Sequence, residues 1–209
     1  MRKDSIIYTV LFTFVVCLLF VLPLALANEL TKARVAANRD LAERRAVLSA
    51  LGLLPAGAKL DAEGIEALWS AKVVPMPELR PKLFRSSSVD GEHYALELGG
   101  AGLWGRIEAV LATDASVSRI VGLEILSHNE TPGLGGRIDE AWFKAQFRGE
   151  SIKDGGISLV QGQDSGDKDP DNGRVEAITG ASLTSGFVKT IVDRGIADLA
   201  GLRDKGGLR

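Results

Sequence analysis

The chain starts with a long apolar stretch and continues with a segment rich in charged residues. Residues 6–27 contain no charged side chain. As an α-helix this stretch would be about 33 Å long, close to the ~30 Å hydrocarbon core of a bilayer. Residues 28–54 are rich in Ala, Leu, Arg and Glu and have leucines near helical spacing, which predicts further helix. The pattern therefore predicts a membrane-spanning helix followed by a stalk helix.

The rest of the chain alternates between strand-like and helix-like patterns. Asp61 is placed to cap a short helix that reaches Trp69, and Pro75, Pro77 and Pro81 predict an extended connector. The further predicted elements are strands at 94–98, 106–112, 119–126 and 157–160, helices at 140–147 and 183–199, and a polar loop at 162–173.

Together these elements predict an α+β protein. A transmembrane helix and a stalk helix precede one domain, in which helices flank a mainly antiparallel sheet. The predicted boundaries are 1–27 for the anchor, 28–60 for the stalk helix and connector, and 61–209 for the domain.

The apolar stretch has a second interpretation, a cleaved signal peptide, because Ala25-Leu26-Ala27 has the form expected before a cleavage site. The apolar cores of signal peptides usually contain only about 7–15 residues, so the greater length here favours a retained anchor. In both interpretations Arg2 and Lys3 hold the N-terminus in the cytoplasm, and the domain is exported.

Composition and charge exclude several classes of function for this chain. The chain is 45% hydrophobic and 25% charged, with a formal net charge of −2. Because Arg2, Lys3 and Asp4 contribute +1, residues 28–209 carry −3. An acidic domain lacks the basic surface that a nucleic-acid binder needs. The single cysteine, Cys17, lies in the apolar stretch and excludes disulfide frameworks and thiol-rich metal sites.

Metal sites are also disfavoured. The two histidines, His93 and His128, have no carboxylate or cysteine partners at ligand spacing, so no zinc site is predicted. The acidic segment 167–173 resembles a calcium loop, but Asn172 occupies the position that needs Gly and Ile178 the one that needs Glu. This segment is therefore interpreted as a solvated turn.

Residues 175–185 are the most informative segment, because hydroxyl residues surround Gly180 just before the last predicted helix. A helix N-terminus presents unpaired N–H groups and a positive dipole end, which suit a phosphate. The alternative is an ordinary cluster of helix-capping residues. This segment alone does not separate the two interpretations.

Residues 128–136 form a second candidate segment directly after a predicted strand. Three glycines and Pro132 predict a tight loop that can lie flat against a planar ligand. The alternative is a simple turn.

Taken together, these segments resemble the covalent-FMN subunits of ion-pumping electron-transfer complexes. The chain resembles the NqrC subunits of the sodium-translocating NADH:quinone oxidoreductases, and the related G subunit of Rnf complexes shares the same domain. The resemblance is carried by the N-terminal anchor, residues 38–53, Gly102-Leu103-Trp104, Glu130-Thr131-Pro132-Gly133-Leu134-Gly135 and Thr179-Gly180-Ala181-Ser182-Leu183-Thr184-Ser185.

The resemblance implies that FMN is attached to Ser182 through a phosphoester bond made by a flavin transferase. Family members more often have Thr at this position and Asp six residues earlier, where this chain has Glu176. Trp104, in a glycine-rich turn, is a further candidate for contact with the flavin, and its alternative role is ordinary packing. The residues implied to bind FMN are Glu130, Thr131, Leu134, Gly135, Thr179, Gly180, Ala181, Ser182, Leu183 and Thr184.

The function implied is that of an electron-transfer subunit in a membrane oxidoreductase that translocates Na⁺ or H⁺. Its partners would be the other subunits of an NADH:quinone or, for the Rnf type, ferredoxin:NAD oxidoreductase. The subunit would cross the inner membrane once and hold its domain on the periplasmic side. No catalytic acid or base is implied, because the redox chemistry belongs to the flavin. The alternatives are a stand-alone membrane-tethered flavoprotein that shuttles electrons and a non-redox binding module.

Overall fold

The computed structural model describes residues 5–54, 60–77, 81–89 and 91–208. The predictions that involve Arg2, Lys3 and part of the connector after the stalk lie outside the described residues. The chain divides into two compact units, Met1–Leu41 and Ala42–Arg209.

The helices and strands follow one another along the chain with short connections. In order they are α1 (Ile6–Ala50), α2 (Ala62–Lys72), β1 (Val74–Met76), β2 (Leu83–Ser88), β3 (Gly91–Ala101), β4 (Arg106–Asp114), β5 (Ile120–Ser127), a 3₁₀ helix (Gly135–Asp139), α3 (Ala141–Ala145), β6 (Ser158–Gln161), β7 (Arg174–Ala177) and α4 (Ser182–Asp204).

Helix α1 contains both the predicted anchor and the predicted stalk. It is continuous through Pro23, a residue that transmembrane helices tolerate. Its N-terminal part is long and apolar enough to cross a membrane, and it is the one helix of this kind among the described residues. Large apolar side chains from Ile6 to Leu26 are exposed.

The predicted α+β class and the mainly antiparallel sheet are confirmed. A five-stranded antiparallel sheet has the strands in the order β1-β2-β3-β4-β5, and β6 and β7 form a separate parallel pair. Asp61 caps α2, since its Oδ1 accepts a hydrogen bond of 2.9 Å from the Gly64 amide.

The sequence patterns missed β1, β2 and β7 and misjudged several ends. The proline-rich connector contains β1, which pairs with β2 through Val74 and Arg85. Proline is compatible with an edge strand because an edge need not donate every ladder hydrogen bond. Helix α3 is shorter than the predicted 140–147 helix, and α4 is longer than predicted.

Both faces of the sheet are covered within the second unit. Helix α4 packs on one face, where a Cβ at Gly195 would lie only 2.9 Å from Leu98 Cδ2 and 3.0 Å from Leu111 Cδ2. The end of α1 packs on the other face, where a Cβ at Gly122 would lie 2.6 Å from the carbonyl oxygen of Ala50. Glycine at these positions therefore permits close packing of helix against sheet.

Strand register brings three chain segments to one end of the sheet. The start of β4 pairs with the end of β3 through Ile107 and Gly100, and with the end of β5 through Glu108 and Ser127. The β3–β4 turn and the loop that follows β5 consequently lie beside each other. The start of α4 meets them there, through the contacts of Glu130 described below.

Candidate functional site

A buried carboxylate joins these three segments. Glu130 is only 4% exposed. Its Oε1 accepts hydrogen bonds from the amides of Leu103 (2.8 Å) and Trp104 (3.1 Å) in the β3–β4 turn. Its Oε2 accepts a hydrogen bond of 2.6 Å from Oγ1 of Thr184 in the first turn of α4. A buried charge is tolerated only with such partners, so this geometry fixes the segments relative to one another.

Two glycines make room for this carboxylate. A Cβ at Gly135 would lie 2.6 Å from Thr184 Oγ1 and 2.8 Å from Glu130 Oε2. A Cβ at Gly102 would lie 2.6 Å from Glu130 Oε1. All three distances are so short that a side chain at either position would force its neighbours to shift, so Gly135 and Gly102 both leave space for the same buried group.

The turn before α4, residues 178–181, and the first turn of the helix carry two exposed hydroxyl residues, Thr179 and Ser182, and two buried ones. Gly180 adopts a φ of +78°, which favours glycine. Ser185 is buried, and its hydroxyl accepts a hydrogen bond from the Ile178 amide (3.0 Å) and donates one to the Ala181 carbonyl (3.1 Å). Ser182, by contrast, is exposed at the first position of α4.

The N-cap of α4 leaves the helix end available to a ligand. Ala181 occupies this position and provides no side-chain hydrogen bond to the first turn. The first N–H groups of a helix have no partners within the helix, and they favour an anion. The hydroxyl cluster is thus divided: Thr184 and Ser185 bind inside the protein, whereas Thr179 and Ser182 are exposed.

Large apolar side chains are exposed around the same point. Leu103 is 47% exposed, Trp104 69%, Leu134 48% and Leu183 67%. We refer to these four residues as the apolar rim. Leu103 and Trp104 are bound through their amides to Glu130, and Leu134 Cδ2 lies 3.6 Å from the Cβ position of Gly180. Exposed apolar groups of this kind mark ligand or protein contact sites.

Comparisons with known proteins agree with this arrangement. Residues 102–197 match the family model of the FMN-binding domain, a range that includes the β3–β4 turn, Glu130 and Ser182. The C subunit of the Na⁺-translocating NADH-quinone reductase from Pseudomonas aeruginosa is 26% identical over 91% of this chain and 91% of its own. The corresponding subunit of Vibrio anguillarum is 32% identical over 51% of this chain and 45% of its own.

Two solved structures share the fold. The chain superposes on NqrC from Shewanella oneidensis with a TM-score of 0.66 and 19% identity, covering 81% of this chain and 99% of the other. For the corresponding subunit from Parabacteroides distasonis the TM-score is 0.62 at 19% identity, covering 85% and 96% of the two chains. The resemblance to NqrC is confirmed.

The structure brings the predicted site residues of this NqrC-like chain to one place. Glu130, Gly135 and Thr184 are in direct contact, and residues 179–183 form the adjoining turn and helix start. Thr131 is exposed, and its carbonyl accepts hydrogen bonds from the amides of Leu134 (3.1 Å) and Gly136 (2.9 Å). The roles of these residues in binding remain predictions.

Two further residues hold the turn before α4, and the sequence patterns did not indicate either. Asp164 Oδ1 accepts a hydrogen bond of 2.7 Å from the Thr179 amide, and its Oδ2 accepts one of 2.8 Å from Arg137 Nη1. The Thr179 amide and the Arg137 guanidinium lower the pKa of the Asp164 carboxyl. No local signal marks Asp164, because its partners are 15 and 27 residues away in the chain.

Glu176, one of the two residues that differ from the pattern the resemblance implies, has defined contacts. Its Oε2 accepts hydrogen bonds from the amides of Ser165 (3.3 Å) and Gly166 (3.1 Å). Its backbone forms two more with Gln146, from Gln146 Nε2 to the Glu176 carbonyl (3.0 Å) and from the Glu176 amide to Gln146 Oε1 (2.7 Å). Glu176 therefore fixes the loop that carries Asp164.

We predict that Glu130→Ala destabilises the protein strongly. The change leaves two amides and the Thr184 hydroxyl without their acceptor, so we expect the free energy of unfolding to fall by about 2–4 kcal/mol. Urea unfolding of the chain in detergent measures this loss. Glu130→Gln retains an oxygen that can accept from the amides, so its free energy of unfolding should fall clearly less. Equal losses of unfolding free energy in the two variants would contradict this explanation.

We also predict that the contribution of Asp164 to the free energy of unfolding depends on pH. Because its folded pKa is lowered from 3.8, its stabilisation is present above that value and is lost as the pH falls through the lowered folded pKa. The difference in unfolding free energy between the wild type and Asp164→Asn should therefore shrink as the pH falls from about 5 to about 2. A difference that stays constant over this interval would exclude an ionised Asp164 as its source.

Proposed function

We propose that this protein is an electron-transfer subunit that carries FMN on Ser182 and works within a membrane oxidoreductase that exports Na⁺. The observation that carries the proposal is an exposed serine at the first position of a 23-residue helix, beside the apolar rim and within the match to the FMN-binding domain. The relatives named as subunits of Na⁺-translocating NADH-quinone reductases support the assignment to a complex of that kind.

The residues present fit the two chemical parts of FMN. The start of α4 offers backbone amides and a positive dipole end to the phosphate, and Ser182 offers the oxygen for the ester bond. The apolar rim offers large apolar side chains, Trp104 among them, to the flat isoalloxazine ring. When bound, FMN supplies the electron-transfer chemistry. The chain itself binds and orients the flavin.

Formation of the ester needs an activated flavin phosphate. In the proposed reaction a flavin transferase uses flavin adenine dinucleotide, and the Ser182 oxygen forms a bond to the phosphorus that carries the riboflavin part. The P–O bond of the pyrophosphate breaks, AMP leaves, and the hydroxyl proton passes to a base of the transferase. Ser182 is accessible for this reaction in the folded domain, because its side chain is exposed.

A covalent bond suits a site of this shape. The apolar rim is about half exposed or more at each of its residues. The side chains that would hold the flavin ring are therefore themselves open to solvent or to a partner subunit. We propose that the domain lies on the periplasmic side, anchored by α1, where a dissociated cofactor would be lost from the cell.

We predict that Ser182→Ala abolishes covalent FMN. The chain is co-expressed with a flavin transferase, and fluorescence of the denatured band together with intact mass reports the attached flavin. Ser182→Thr should retain the label because it retains the hydroxyl. Thr190→Ala is the matched control, since Thr190 is exposed on the same helix. A fluorescent Ser182→Ala band would assign the attachment to another residue.

We further predict that the protein works in a complex and not alone. Chain purified from its native membranes in mild detergent should bring redox partner subunits and NADH-driven quinone reduction with it. Ser182→Ala should remove the quinone reduction and leave the co-purification unchanged. A chain that carries FMN, purifies alone and reduces acceptors by itself would support the stand-alone shuttle instead.

A further inference from the structure

We propose that Asp164 and Arg137 are positioning residues for the flavin, because the single Asp164 carboxylate ties together the two halves of the site. This inference rests on the proposed function. One half is the loop and 3₁₀ helix that follow Glu130, and the other is the turn that presents Ser182. Neither Asp164 nor Arg137 belongs to the motifs that carry the resemblance to NqrC.

The two oxygens of Asp164 reach different halves. Oδ1 accepts from the Thr179 amide at 2.7 Å, three residues before Ser182. Oδ2 accepts from Arg137 Nη1 at 2.8 Å, within the 3₁₀ helix that begins at Gly135. Gly135 packs directly against Glu130 and Thr184. The Asp164–Arg137 ion pair therefore connects the turn before α4 to the same loop that the Glu130 carboxylate holds. Charge-assisted hydrogen bonds of this length are stronger than neutral ones.

Arg137 is itself held in place on two further sides. Its Nε lies 3.3 Å from Glu140 Oε2, and its guanidinium carbon lies 5.4 Å from the centre of the Trp142 ring. Its side chain is 23% exposed, and that of Asp164 is 22% exposed. Two half-buried, multiply bonded side chains lose less freedom on pairing than two surface chains do, so this ion pair fixes geometry better than an exposed one.

The backbone at Asp164 supports a specialised role. Asp164 has a φ of 60°, in the left-handed region that non-glycine residues occupy at a cost. The segment is held there by its neighbours: Glu176 accepts from the Ser165 and Gly166 amides, and Thr179 Oγ1 donates to the Gly162 carbonyl at 3.5 Å. The loop is thus bound to Thr179 of the turn and to Glu176 of β7.

The test compares attachment and orientation of FMN in full-length variants. Asp164→Gly removes both acceptor oxygens, and glycine adopts the left-handed backbone conformation without strain. Asp164→Asn keeps an oxygen for the Thr179 amide but loses the charge that pairs with Arg137. We expect Asp164→Gly to slow FMN attachment by a flavin transferase about tenfold or more. We also expect it to reduce the visible circular dichroism of the attached flavin, with Asp164→Asn intermediate in both measurements.

The matched control is Asp171→Asn. Asp171 also pairs with an arginine, Arg119, but Arg119 directly precedes β5 and Asp171 lies just before β7, so this pair does not involve the turn or the 3₁₀ helix. This variant should attach FMN at the wild-type rate and give the wild-type flavin dichroism. Thermal unfolding of each variant separates loss of fold from loss of position, because a purely structural role would lower the melting temperature without changing the flavin dichroism of the folded protein.

The outcomes distinguish this inference from the proposed function. A wild-type chain that takes up no FMN contradicts the proposed function itself. If the wild type is labelled and Asp164→Gly attaches FMN at the same rate with the same flavin dichroism, the positioning role is overturned and the proposed function stands. If Asp164→Gly does not fold, the variants Arg137→Met and Asp164→Asn provide the test instead. The positioning role requires that each of these variants lowers the rate of FMN attachment and the flavin dichroism. Wild-type rate and dichroism in both variants overturn it.

Discussion

The buried carboxylate of Glu130 is the contact on which the site depends. A carboxylate that is almost fully removed from water must have its oxygens satisfied, and here the partners come from a strand turn and a helix start. The antiparallel sheet places the turn beside Glu130, but it does not by itself fix the start of α4. The bond to Thr184 does so, and through it the position of Ser182 two residues earlier follows.

The first turn of α4 separates buried from exposed hydroxyls by helical geometry. Side chains that are adjacent in a helix point in directions about 100° apart, so Ser182 and Leu183 face outward while Thr184 and Ser185 face the core. The inward hydroxyls bind Glu130 and the preceding turn. Helix capping and phosphate binding therefore need not compete in this segment, because different members of the hydroxyl cluster can serve the two purposes.

The elements that the sequence predicted are those with local signals. Strands β3, β4 and β5 show apolar runs bounded by turn residues, and α4 shows a long helical pattern after Gly180. Strand β1 was missed because Pro75 argues against a strand wherever its edge position is unknown. The bridge between Asp164 and Arg137 was missed for a different reason. Its partners are far apart in the chain, and Asp164 lies in a polar loop whose composition is that of any solvated turn.

The side chain of Glu176 packs closely against Gly162, a residue 14 positions earlier in the chain. A Cβ at Gly162 would lie 2.1 Å from Glu176 Cδ. The Glu176 side chain therefore occupies space that is free only because residue 162 is a glycine. From there its carboxylate reaches the Ser165 and Gly166 amides and holds the loop that carries Asp164. An aspartate at this position would be shorter by one methylene group and would need the loop to approach. The glutamate and the glycine therefore pack as one unit, because any side chain at residue 162 would have to displace that of Glu176 from the loop it holds.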